Sequence, residues 1–404
     1  MPPDGPIWGA ETEIAKEAEQ LQKLNNDVSF TEDGLALEFS ARHASVLRYV
    51  AIWGSWLQWD GCRWQRERTL KVFDAARLVC RDAVDRGGDA KRLLSAKTVA
   101  AIETLARSDR RHATTAEIWD AARWSLNTPG GIVDLRSGDL LPHDPERYLT
   151  KITAVAPSGD CPRWSQFLDE ITAGNTELQS FLQRVAGYAL TGSTREHALF
   201  FAYGTGANGK GVFINTLTAI LSDYAMTAPM ETFVATQGDR HPTELAGLMG
   251  DRLVTAQETE QGRRWAESKI KSMTGSDPIS ARFMRQDFFE FVPQFKLLIA
   301  GNHKPGLRGV DEAMRRRFYL VPFTVTIPPE QRDKNLFEKL KPEWGGILQW
   351  AIGGCLEWQA TGLNPPAVVR EATEAYLAGE DAQTQWLDEC CVRDAAYLER
   401  VHQG

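Results

Sequence analysis

The sequence predicts an α/β protein whose core is built on a phosphate-binding P-loop, preceded by an α+β domain and followed by a helical segment. Three observations predict it. The apolar run Phe200-Phe-Ala-Tyr203 reads as a buried strand and enters a loop of three glycines and a lysine, Gly204-Thr205-Gly206-Ala207-Asn208-Gly209-Lys210. Beyond it, Val212, Phe213, Leu217 and Ile220 recur at helical spacing. Two further apolar runs, Leu253-Val-Thr-Ala and Phe295-Lys-Leu-Leu-Ile-Ala, end in the polar residues Glu258 and Asn302. Upstream, Trp53, Trp56, Trp59 and Trp64 surround Asp60-Gly61, the pattern of a hairpin turn between short aromatic strands.

With 404 residues the chain is long enough for two or more domains with sizeable cores. No apolar run approaches the roughly 20 residues that span a bilayer, and Met-Pro-Pro-Asp-Gly-Pro lacks the charged and apolar regions of a signal peptide. Six cysteines (62, 80, 161, 355, 390 and 391) form no C-x-x-C pair and read as reduced thiols of a cytoplasmic protein. The net charge of −8 argues against a uniformly basic coat but leaves room for a local basic channel.

In order along the chain, residues 1–36 read as a peripheral extension, helical from Glu11 to Asn25 and a loop through Gly34. Residues 37–156 read as the Trp-rich α+β domain, with helices at 70–85, 90–106 and 115–125 and then turns around short apolar strands from Asn127 to Pro145. Pro157 to Pro162 is a linker, and 157–195 carries a helical pair, 164–171 and 177–190, turning at Gly174-Asn175. The core follows at 196–325, and 326–404 reads as helical, at 331–340, 344–361 and 366–378.

The loop supplies the physical recipe for a triphosphate. Glycines let backbone amides close round phosphates, the helix N-terminus adds positive potential, and Lys210 reaches the β/γ oxygens. Gly204-x4-Gly209-Lys210 fits the pattern, but Gly211 stands where a Mg²⁺-binding hydroxyl is usual. Glu258 and Glu260, about fifty residues on, offer carboxylates for Mg²⁺ or for polarising the attacking water; solvated charge is the plainer alternative. Asn302 could orient a lytic water or merely cap a turn. Arg315, Arg316 and Arg317 precede another apolar strand. Residues 263–308 hold nine Lys/Arg against four Asp/Glu, with Lys271, Arg282, Phe283 and Arg285 on or beside an expected β-hairpin. Positive charge with interleaved Phe suits single-stranded nucleic acid.

In this order the elements resemble the superfamily 3 helicase domain of phage and plasmid primase-helicases. The resemblance rests on Gly204-x-Gly-x-Asn-Gly-Lys210, Leu253 to Glu260, Lys271-x-x-Thr-Gly-x-Asp277 with Ala281-Arg282, Leu298 to Pro305, and Arg316-Arg317 before Val321-Pro-Phe323. It extends upstream over Asn127 to Thr150 and Phe181 to Gly192, and covers about residues 40 to 380. It implies an AAA+-type core, hexameric rings and 3′→5′ movement on single-stranded or forked DNA during replication initiation, with ATP and Mg²⁺ as cofactors. It places Gly204 to Val212 on the nucleotide, Lys210 on the phosphates and Glu258 in the metal and water-activating motif, with Glu260 assisting. Asn302 is then the sensor, Arg316 or Arg317 the finger acting on a neighbouring subunit, and Lys271, Arg282, Phe283 and Arg285 face DNA. A separate primase, initiator or host replication protein is the implied partner, and no membrane. The sequence departs from the family at Gly211, in the lack of a primase catalytic domain and in the short stretch after Glu380, where a winged helix is expected to be absent or truncated. Two alternatives follow: a nucleotide-binding ring scaffold or inhibitor with little hydrolysis, and another P-loop machine such as a packaging motor.

Overall fold

The computed structural model describes residues 30–235, 243–258, 262–282, 288–307 and 309–380, without the side chains of residues 243, 244 and 258. It divides into two compact units, one of residues up to 119 with 144–150, the other of 120–143 with 151 onward. The boundary expected near residue 156 is therefore not a single cut, because 120–143 goes with the second unit.

The first unit opens with α1 (Glu32–His43). Thr31 caps it, its Oγ1 accepting the Gly34 amide at 3.0 Å, with Glu32 and Asp33 in the first turn and Arg42 and His43 in the last. The stretch expected to be a peripheral extension thus contributes Leu35 and Ala36 to a core, beside Phe39 of the expected domain. A four-stranded sheet in the order β3-β2-β1-β4 joins β1 (Leu47–Val50), β2 (Ser55–Trp59), β3 (Trp64–Arg66) and β4 (Ala113–Thr114). The predicted hairpin turn is present: Asp60 Oδ1 accepts the amides of Cys62 at 2.7 Å and Arg63 at 2.8 Å.

Helix α2 (Lys71–Asp85) follows, and the single helix expected over 90–106 is two, α3 (Ala90–Leu93) and α4 (Ala96–Ala106). Ser95 restarts the chain as a cap, its Oγ accepting the Thr98 amide at 3.1 Å. The helix expected over 115–125 reduces to one 3₁₀ turn, Ala116–Ile118. Trp119 is instead buried in an aromatic cluster, its ring centroid 6.0 Å from Trp53, 5.7 Å from Trp64 and 5.2 Å from Tyr148. Burial of that indole outweighs local helix propensity.

His112 is enclosed in this unit, its Nδ1 2.9 Å from the Leu47 carbonyl and its Nε2 without a partner among the described residues. Burial lowers its pKa, because the imidazolium would be desolvated. Below about pH 6.5 the unfolded chain takes up a proton that the folded imidazole refuses. Stability of this unit is therefore expected to be full above that pH and to decline as pH falls, and His112→Phe should flatten that acid limb in pH-dependent urea melts.

The second unit begins with an antiparallel meander, β5 (Ser125–Thr128), β6 (Gly131–Asp134) and β7 (Leu140–Leu141). Helices α5 (Pro162–Thr172) and α6 (Thr176–Leu190) turn at the expected Gly174-Asn175, where Asn175 caps α6 through the Leu178 amide. Next come β8 (Leu199–Tyr203), α7 (Lys210–Leu221), β9 (Ala225–Thr227), α8 (Thr243–Ala246), β10 (Leu253–Glu258) and α9 (Glu267–Thr274). The expected hairpin pairs β11 (Ile279–Ala281) with β12 (Phe289–Phe291), and β13 (Lys296–Gly301), α10 (Glu312–Arg315) and β14 (Phe318–Pro322) complete the region.

Five strands form one parallel sheet in the order β14-β8-β13-β10-β9. It is covered on both faces, so its strands read as near-continuous apolar runs. Side chains alternate between two cores. Phe200, Ala202, Leu298, Ala300 and Val321 pack with Phe213, Ile214 and Leu217 of α7, whereas Phe201, Val254, Ala256, Ile299 and Leu320 lie in the other.

The C-terminal part holds α11 (Leu336–Leu340), α12 (Trp344–Thr361) and α13 (Ala367–Glu380). The helix expected from Gln331 starts five residues later, because Arg332 is extended and Asp333 Oδ1 takes the Asn335 amide at 2.9 Å in a local turn. Helices α6 and α12 cross with backbones in contact: a Cβ on Gly187 would lie 2.0 Å from the Cys355 nitrogen, and one on Gly354 would lie 2.1 Å from the Gln183 carbonyl oxygen. Among the described residues no helix is long and apolar enough to cross a membrane, and Cys80, Cys161 and Cys355 are free thiols. The expected helix at 11–25 and the tail after 381 lie outside the described residues.

Candidate nucleotide and nucleic-acid site

The parallel register aligns three strand ends. Tyr203 of β8 pairs with Gly301 of β13, and Gly301 pairs with Glu258 of β10. The glycine-rich loop, Asn302 and Glu258 therefore emerge side by side at the carboxyl edge of the sheet, where open α/β sheets bind ligands.

The loop is held in shape from below. Asn208, 3% exposed, donates through Nδ2 to the Phe323 carbonyl at 2.9 Å, while its Oδ1 accepts the Lys210 amide at 3.4 Å. Gly204 leaves no room for a side chain, since a Cβ there would lie 2.1 Å from Asn208 Nδ2 and 2.2 Å from the Phe323 oxygen. Phe323 thus links the end of β14 to the loop, a contact with no signal in local sequence.

Lys210 opens α7 and donates through Nζ to the Gly204 carbonyl and to Asn302 Oδ1, both at 2.6 Å. Partial burial lowers its pKa from the ordinary lysine value, because the ammonium loses solvation. A pocket of about 510 Å³ is lined by Gly206 to Val212, Gln257, Ala300, Gly301 and Asn302. An ammonium, the first amides of a 12-residue helix and neutral amide side chains make this pocket chemically suited to a polyanion. Gln257 was not singled out in the sequence; its place at the end of an apolar strand beside Glu258 was the available signal.

The segment after Asn302 is pinned by α13. Tyr376 Oη donates to the Pro305 carbonyl and accepts Trp265 Nε1 at 3.0 Å, and Glu380 Oε2 accepts the Leu307 amide at 2.8 Å. Tyr376→Phe orphans a buried indole N–H and a carbonyl. The expected cost is about 1–3 kcal/mol, read as a lower midpoint in urea unfolding.

Other predicted residues lie elsewhere. Arg316 and Arg317 precede β14 at the amino edge, where the Leu199 amide donates to the Arg317 carbonyl at 2.7 Å. The five residues of β8, roughly 16 Å of strand, separate that edge from the loop. Within one chain the pair is thus not brought to Lys210. Arg316 is exposed, whereas Arg317 is buried with Nη1 donating to the Ala313 carbonyl at 2.7 Å. Lys271, on α9, forms an ion pair with Asp311, whose carboxyl is held below its usual range chiefly by that hydrogen bond. The Arg282 guanidinium lies 4.9 Å from the centroid of Phe288, which is 57% exposed near the hairpin tip. The Glu258 side chain, Glu260, Phe283 and Arg285 lie outside the described residues.

Comparison with known proteins gives the same direction. Residues 36–173 match the family described as "D5 N terminal like", and residues 202–317 match a family of unknown function, DUF5906. Among curated proteins, the chain is 28% identical over 288 residues to "Putative helicase 022R" of Frog virus 3, covering 65% of this chain and 28% of that protein. It is 24% identical over 302 residues to "Putative helicase L207/L206" of Acanthamoeba polyphaga mimivirus, covering 68% and 31%. The chain thus spans about a third or less of these relatives' length. The solved apo structure of the NrS-1 C-terminal region is similar in fold at 11% identity, with a TM-score of 0.50 over 83% of this chain and 72% of that one. The chain carries a D5-type N-terminal segment followed by a DUF5906 segment, a pairing consistent with the superfamily 3 primase-helicase family that its motifs resemble.

Proposed function

We propose that the chain is an ATP-dependent replicative DNA helicase of a phage, plasmid or satellite element, built on an AAA+-type P-loop core that works as a ring. The observation that carries this reading is the alignment of Gly204, Asn302 and Glu258 at one sheet edge, with Lys210 bonded to Asn302. The strand order, with the loop-bearing β8 inside a parallel sheet, and the viral relatives named as helicases support it.

In this reading Lys210 and the amides from Gly206 to Val212 bind the triphosphate, and Asn302 contacts its terminal phosphate. Glu258 sits at the strand end from which a carboxylate polarises the attacking water, with Glu260 assisting. Arg316, exposed and a strand's length from its own Lys210, serves a neighbour's nucleotide rather than its own. Lys271, Arg282 and Phe288 offer cationic and stacking groups to a single strand, with Phe283 and Arg285 continuing that surface. Mg²⁺, when bound with the nucleotide, neutralises phosphate charge. For it, the described pocket lining offers amide oxygens and no carboxylate. The hexameric state and 3′→5′ polarity come from the family resemblance.

The test is ATP turnover with and without single-stranded DNA, followed by strand displacement on substrates with opposite tails. Stimulated turnover and displacement from the 3′-tailed substrate are expected. Tight ATP binding without turnover supports the scaffold reading instead, which Gly211 favours.

A further inference from the structure

We propose that the first unit binds single-stranded nucleic acid on the face of its four-stranded sheet that carries Trp53, Trp59 and Arg66, a contact separate from the β11–β12 hairpin. The two faces of that sheet differ. One packs Leu47 and Trp56 against Leu35 and Phe39 of α1, Val72 and Val79 of α2, and Val99 and Ile102 of α4. The other has a small buried centre of Val50, Leu57, Trp64 and Trp119, with Trp53, Trp59 and Tyr148 half-buried around it. No α-helix among the described residues contributes to that centre.

Register sets this arrangement. Leu57 pairs with Arg66 and Trp59 with Trp64, so all four side chains share one face. Between ring centroids, Trp59 lies 5.7 Å from Trp64 and Trp53 lies 6.0 Å from Trp119. The Arg66 guanidinium is 5.2 Å from the Trp53 centroid, and Ile52, beside Trp53 in the 3₁₀ turn after β1, is 64% exposed. Arg66 and Arg68 are exposed, and neither makes an ion pair or side-chain hydrogen bond among the described residues. The acids of these segments are engaged. Glu67 accepts the Thr69 hydroxyl at 2.6 Å, Asp60 takes the amides of Cys62 and Arg63, and Glu146 takes Arg48 at 3.3 Å and the Tyr148 hydroxyl at 3.1 Å. Half-exposed rings beside unpaired guanidinium groups suit a single strand, whose bases stack on rings or guanidinium planes while arginines meet phosphates. An apolar protein surface laid here would leave both cations desolvated and unpaired, which a polyanion does not.

The experiment measures binding of fluorescein-labelled oligo-dT and oligo-U to the full chain without nucleotide, by anisotropy over a range of salt. Trp53→Leu, which keeps apolar bulk but no ring, should weaken binding by about fivefold or more, and Trp53→Phe should recover most of that loss. Arg66→Gln with Arg68→Gln should flatten the slope of log affinity against log salt by about 1.4, the share of two phosphate contacts. An oligonucleotide carrying 5-iododeoxyuridine should photo-crosslink to the wild-type peptide holding Trp53 or Trp59, a readout that needs no variant to fold. Weakening of either the DNA or the RNA probe through these residues supports the proposal. Unchanged affinity and slope in these variants, with no crosslink between residues 47 and 68, overturns it and leaves the face to a protein partner. If Arg282→Gln then weakens binding while the first-unit variants do not, the hairpin contact stands and this proposal alone has failed.

Discussion

Lys210→Ala is expected to reduce DNA-stimulated ATP turnover by about 10²-fold or more, the scale of removing one preorganised electrostatic donor. The ammonium is the one cation lining the described pocket, and it reaches across it, contacting the Gly204 carbonyl on one side and Asn302 on the other. In the proposed reading, alanine removes the charge that neutralises the β/γ-phosphates and releases Asn302 from its hydrogen bond with Lys210. Both effects are stronger with the terminal phosphate in its transition state than with the free nucleotide, so turnover should fall more than ground-state binding. The fold should persist, because Lys210 is only half-buried and the loop is held by Asn208 and Phe323. Steady-state turnover with a melting curve of the same protein checks both points. Unchanged turnover removes the enzyme reading.

The largest effect on stability is expected at the crossing of α6 and α12. Gly187→Val must place a side chain where the Cys355 nitrogen and the Gly354 carbonyl carbon already lie, at 2.0 and 2.3 Å from its Cβ. A flexible neighbour could move, but a helix backbone moves only with its helix. α12 also carries Ile347, Leu348, Ala351, Ile352 and Trp358 into the core shared with β8 and α7. Overpacking typically costs about 1–3 kcal/mol, and this case should reach or exceed the upper end because backbone must separate from backbone. Gly354→Val meets the Gln183 carbonyl in the same way. Either variant should unfold at markedly lower urea concentration, and the double variant should cost less than the sum, since one separation of the helices serves both.

Much of the architecture was legible in the chain. The loop from Gly204 to Lys210 could be placed between a strand and a helix because glycines, an apolar run and helical spacing are local signals. The hairpin at Asp60, the turn at Gly174-Asn175 and the helix at 344–361 were legible for the same reason. The failures share another cause. Trp119 leaves a helical pattern to enter an aromatic cluster assembled from residues 53, 64 and 148. The first helix begins at Glu32 because Leu35 and Phe39 find a core made by distant segments, and residues 120–143 join the second unit through contacts that no composition shift marks.

At the site the division is the same. Residue chemistry and order announced a phosphate loop, a strand-end acid, a strand-end Asn and an arginine pair, since each is a property of a short stretch. Which of these meet was decided by the parallel register, a matter of hydrogen bonds between strands about 40 to 120 residues apart in sequence. That register put Asn302 against Lys210, brought Gln257 into the pocket, and left Arg316 and Arg317 at the opposite edge, the first exposed and the second buried. Distances between elements are set by packing of the whole sheet, and no local run of residues encodes them.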